Sequence, residues 1–111
     1  MKALFTILAV FFISPVLADD TAVTDGASHR YLIERTFPAG ALDGLDAATK
    51  EKVNANNATV GVRWLHSYAN AEKTKTFCVY EGPSEDAVRQ AAALNGLPVD
   101  SVMEVPVDLT P

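Results

Sequence analysis

From Arg30 to Phe37 (RYLIERTF) apolar and polar positions alternate, β-branched and aromatic residues are frequent, and Pro38 and Gly40 follow directly; the pattern predicts a strand. Beyond a loop over 39–44, Leu45, Ala48 and Val53 recur at near-helical spacing with Asp43 or Asp46 placed to cap, which predicts a helix from Leu45 to about Asn57. Asn54, Asn56 and Asn57 are weak helix formers and loosen its end. Gly61 then releases the chain into residues 62–81, VRWLHSYANAEKTKTFCVYE, which read as two strands joined by a polar turn. Gly82 and Pro83 turn the chain, and Ser84 stands as an N-cap before Glu85 and Asp86, whose charges suit a helix N-terminus. Val88, Ala91, Ala92 and Leu94 form the predicted buried stripe of that second helix, and Asn95-Gly96 with Pro98 ends it. Residues 102–109 alternate again, with Met103, Val105, Val107 and Leu109 on one side; Pro106 lacks a ladder donor and assigns this strand to a sheet edge.

Strand, helix, strand, strand, helix, strand is the order of two split β-α-β units. It predicts an α+β, ferredoxin-like sandwich: a four-stranded antiparallel sheet with both helices on one face and the other face open. The register of the central hairpin decides which side chains meet. A two-residue turn at Glu72-Lys73 would need positive φ at both positions, so an odd-numbered loop is expected. That loop sets His66 opposite Cys78, Trp64 opposite Tyr80 and Tyr68 opposite Thr76, with Leu65, Phe77 and Val79 on the other face. A slip of one residue would move His66 to the side of Phe77 and Val79. On the expected register the open face carries Trp64, Tyr68 and Tyr80, too apolar to stay wet, and a second copy or a ligand should cover it. A face-to-face homodimer, forming a dimeric α/β barrel, is the favoured outcome.

The N-terminal stretch changes the compartment. Lys2, the apolar run from Ala3 to Ile13, Pro15 and the small residue Ala18 have the form of a secretory signal peptide over 1–18, and the run is too short for a membrane span. Residues 19–29, polar and aperiodic, read as a flexible leader that includes a solvated His29, and 30–111 as the folded domain. A periplasmic or secreted protein is expected, with no membrane association after cleavage. Removing 1–18 takes Lys2 with it and shifts the net charge from −5 to −6, which argues against nucleic acid or an anionic membrane as partner and for cations. Cys78 is the only cysteine, so no internal disulfide can form; in an oxidising compartment it must be buried, metal-bound or paired between chains.

On the expected register, His66, Cys78 and Glu34 of the neighbouring strand offer imidazole, thiolate and carboxylate, a set suited to a divalent transition metal such as Ni²⁺ or Zn²⁺. The competing assignment is a buried cysteine, a histidine bonded to a backbone carbonyl, and Glu34 in an ion pair with Arg35 or Arg63. A Cys-His nucleophile would need an orienting third group and an oxyanion site that two flat strands do not supply, so no catalytic residue is assigned and enzymatic activity is not the expectation. The second functional class is a dimeric barrel that binds a small molecule, or is a minor enzyme, with a cavity lined by Trp64, Tyr68 and Tyr80.

The phrases YLIERTFP, VRWLHSY, KTFCVYEGPSEDAVRQAA and NGLPVDSVMEVPV, spanning 30–107, resemble a small family of single-domain nickel-binding proteins formerly known only as a domain of unknown function. The resemblance implies a ferredoxin-like fold, dimerisation and nickel binding. It carries over most directly at Cys78 and its surroundings. The family's nickel-binding branch has a histidine pair in the first strand, where this chain has Glu34 and Arg35, and lacks the histidine that stands here as His66.

Overall fold

The computed structural model describes residues 28–111, in which β1 (His29–Thr36), α1 (Ala47–Ala58), β2 (Arg63–Ala69), β3 (Lys75–Gly82), α2 (Glu85–Leu94) and β4 (Ser101–Glu104) follow in the predicted order. The signal peptide and most of the leader assigned to 1–29 lie outside the described residues. All strand pairs are antiparallel and the sheet order is β2-β3-β1-β4, the ferredoxin-like arrangement. His29 is not leader: it opens β1, and its Nδ1 lies 2.8 Å from Glu104 on β4.

Local chemistry accounts for the helix boundaries. Asp46 is extended and its carboxylate accepts the Thr49 backbone N–H at 2.8 Å, a bond that also holds the Asp46 carboxyl below the usual carboxylate range. Ser84 caps α2 in the same way through Ala87, with Glu85 and Asp86 in the first turn. Ala87, Val88 and Ala91 of α2 pack in one cluster with Tyr31, Ile33, Cys78 and Tyr80 of the sheet, and Ala92 is buried too. Leu94, expected in that stripe, is exposed. β4 ends at Glu104, two residues before Pro106, so Val107 and Leu109 never join the ladder.

The asparagines that weaken α1 as an isolated helix hold its end in place. Asn95, the C-cap of α2, accepts from Asn56 Nδ2 and donates to Asn57 Oδ1, both at 2.9 Å, stapling the two helix ends together. Asn57 is buried, so Asn57→Ala leaves the Asn95 amide without this acceptor, and a loss of about 1–3 kcal/mol in a urea titration is expected. A midpoint indistinguishable from the parent protein would show that the staple contributes nothing.

The hairpin register differs from expectation. Ala69 pairs with Thr76, so the connection holds an even number of residues; Asn70 Oδ1 accepts the N–H groups of Thr74 and Lys75 at 2.9 and 3.0 Å, and Lys73 takes the left-handed conformation at φ 58°. Beyond the turn, Tyr68 opposes Phe77, Ser67 opposes Cys78 and His66 opposes Val79. A β-bulge at Leu65 then adds one residue, and the ladder resumes with Trp64 opposite Tyr80. Trp64 therefore meets its expected partner, while His66 and Tyr68 face the other way.

Candidate functional site

Strand alternation and the bulge divide the predicted site residues between the two sides of the sheet. Toward the helices point Tyr31, Ile33 and Arg35 of β1, Thr76, Cys78 and Tyr80 of β3, and Trp64 and Ser67 of β2. A hydrogen bond of 2.8 Å from Trp64 Nε1 to Ser67 Oγ spans the bulge and fixes both on that side. The open side carries Leu32, Glu34, His66, Tyr68, Phe77, Val79 and Met103.

The expected convergence of His66, Cys78 and Glu34 is therefore not formed. Cys78 lies under the helix layer, a free thiol whose Sγ donates to Thr76 Oγ1 at 3.5 Å, and it has the whole sheet between itself and the imidazole. His66 and Glu34 do share the open face, on β2 and β1, with β3 between them: His66 sits beside Val79 and Glu34 beside Phe77. Adjacent strands are ~4.8 Å apart, so the two Cα atoms stand roughly 10 Å or more from one another. Among the described residues, no three His, Cys, Asp or Glu side chains gather closely enough to hold a metal ion. The His66 ring packs edge-on against Tyr68 at 4.6 Å between centroids, and Glu34 pairs with Lys75 at 3.6 Å rather than with Arg35 or Arg63. Arg63 is engaged by Glu81 on the same face.

The aromatic set is divided as well. Tyr68 stands 66 % exposed on the open face, whereas Trp64 and Tyr80 line a cleft of about 280 Å³ between the sheet and α1. Its opposite wall comes from Leu42 and Leu45 of the β1–α1 loop and Val53 of α1, and its floor includes Cys78 and Arg35. α1 does little to fill the cleft: apart from Val53, Asn56 and Asn57, its residues are exposed. Desolvation pushes the Tyr80 phenol above its ordinary pKa, partly offset by the nearby Arg35 guanidinium, so it stays a neutral hydroxyl at ordinary pH. Tyr31 is raised too, first by burial and then by Glu104 and Glu85.

Arg35 is the feature the composition concealed. It is 2 % exposed, Nη1 donates to the Pro98 carbonyl at 2.7 Å, and the guanidinium sits 5.6 Å over the Tyr80 ring. Pairing it with Glu34, its neighbour in sequence, overlooked that adjacent strand residues point to opposite faces. The spacing Tyr31, Ile33, Arg35 was the available signal, since the same alternation that buries Ile33 buries Arg35.

The fold has a counterpart in the crystal structure of SCO4226 from Streptomyces coelicolor A3(2), to which this chain is similar with a TM-score of 0.62 and 21% identity, over 72% of this chain and 99% of that one. No curated protein matches the chain. The family model described as nickel responsive protein SCO4226-like matches residues 31–105, from Tyr31 in β1 to the residue just past β4, and bears out the resemblance carried by the TFCVYEGPS and GLPVD phrases. With the greater part of its length matched, this chain belongs to the SCO4226-like nickel-responsive family.

Proposed function

We propose that the protein is an exported homodimer that takes up nickel or a similar divalent ion on the open face of its sheet, through His66 and Glu34 of both copies. A single copy does not fit a metal: His66 and Glu34 are separated by a strand, and among the described residues no three donor side chains gather closely enough to hold an ion. A second copy laid against the same face doubles the donors to two imidazoles and two carboxylates, a set that suits nickel better than an alkaline-earth ion. The observation that carries this reading is the uncovered face itself: Tyr68 and Phe77 near His66, and Met103 at the far edge of the sheet, are exposed on a surface that no helix shields among the described residues. The family's nickel responsiveness and the acidic balance of the chain support it. Cys78 has no part in it.

Calorimetric titration with Ni²⁺, together with native mass spectrometry, tests the assignment. Nickel is expected on the dimer, with His66→Ala weakening it by at least about tenfold, the scale of losing a group that matters to a metal site, and Cys78→Ser leaving it unchanged. Equal affinity in the parent protein and His66→Ala, or nickel bound to a monomer, would sink the reading. Export is tested separately by the N-terminus of protein recovered outside the cytoplasm: Asp19 is expected there, and retention of Met1 in a cytoplasmic product would count against it.

A further inference from the structure

We propose that the cleft between α1 and the sheet binds a small apolar molecule bearing one carboxylate, with Arg35 as its counter-ion. This site lies on the opposite side of the sheet from the open face and is independent of the metal reading. Arg35 is an uncompensated charge. A guanidinium is always protonated, and taking it out of water is costly unless an anion accompanies it. Among the described residues no carboxylate forms an ion pair with Arg35; the acidic side chains that pair do so with Lys75, Arg63, Arg89 and His29. Its bond to the Pro98 carbonyl and its place over the Tyr80 ring orient the group without neutralising it.

What surrounds the charge defines the ligand. Phe37, Leu42, Leu45, Val53 and Trp64 give the cleft apolar walls, and Arg35 with a few hydroxyl, thiol and amide groups supplies the polar spots, the usual make-up of a small-molecule pocket. At about 280 Å³ it stands just under the ~300–1,000 Å³ range of drug-sized sites, so a compact ligand is indicated. One positive charge matches one negative charge. Asn95, the C-cap of α2, lines the same cleft, and the partial negative charge of a helix C-terminus disfavours a doubly charged group such as phosphate. The planar guanidinium accepts a carboxylate in bidentate fashion, and the Trp64 indole faces the space the apolar body would fill.

The full-length protein is titrated with benzoate, phenylacetate and hexanoate, and with benzamide as the neutral isostere of benzoate, following Trp64 fluorescence and heat. At least one carboxylate is expected to bind and perturb Trp64, with benzoate at least tenfold tighter than benzamide. Arg35→Lys is expected to weaken the carboxylate and Arg35→Met to abolish the preference for it. An independent reading comes from the ligand-free protein: Arg35→Met removes an unneutralised buried charge and is expected to raise the melting temperature. A lowered melting temperature together with unchanged carboxylate binding would mean a structural arginine. No response to any of the three carboxylates, or equal response to benzoate and benzamide, would overturn the proposal.

Discussion

Tyr80→Ala is expected to destabilise the fold by about 3–5 kcal/mol, the cost of emptying a buried aromatic site. Tyr80 is 3 % exposed and stands at the crossing of three strands, paired with Tyr31 on β1 and with Trp64 on β2. It also supports the Arg35 guanidinium from below and closes one side of the cleft, so its removal leaves a void joined to an existing space. Such a site cannot collapse without moving α1, which is held at its far end by the asparagine staple. At roughly 4–8 °C per kcal/mol for a domain of this size, the melting temperature should fall by more than 10 °C. Tyr80→Phe keeps the ring and loses only the hydroxyl, and about 0.5–1.5 kcal/mol is expected. Thermal denaturation of both variants decides the matter, and similar small losses would show that the ring is not what supports this corner.

The elements of the fold were legible because their signals are local. Ser84 and Asp46 are caps whatever the tertiary context, Pro106 marks an edge strand, as β4 is, and the alternation in RYLIERTF announces β1. The site was less legible because its geometry depends on counting residues through two irregular places. One is the even-numbered connection closed by the Asn70 carboxamide, and the other is the extra residue at Leu65. Each shifts the alternation by one, and together they cancel, so Trp64 met Tyr80 as expected while the β2 residues between the bulge and the turn, His66 and Tyr68 among them, went to the side opposite Cys78 and Thr76. Periodicity shows that a hairpin is present; it does not show which of its faces the helices will cover. Asn56, Asn57 and Asn95 were hidden for a related reason. Propensity scores an asparagine against the helix it belongs to, and the amide–amide bonds that make these three useful run between helices 38 and 39 residues apart in sequence.

On the dimer reading, Phe77→Asp should weaken self-association by a thousandfold or more, about 4 kcal/mol, while leaving the monomer folded. Phe77 lies at the middle of the open face, flanked by Glu34 on β1 and by Tyr68 on β2, and it is 37 % exposed in the single chain. In a two-fold face-to-face arrangement each copy would bury one new carboxylate against a surface already holding Glu34, so the cost is incurred twice and like charges add to it. The core is on the other side: Ile33, Val88 and Ala91 do not touch this face, and an aspartate in water there asks little of the fold. Sedimentation across a concentration series separates the two effects, because association should be lost with the far-ultraviolet spectrum and melting transition of the monomer retained. The nickel response provides a linked check, since donors assembled from two copies must fail when the copies part. A Phe77→Asp protein that still dimerises would place the contact elsewhere, and one that is monomeric yet binds nickel as before would detach the metal from the open face altogether.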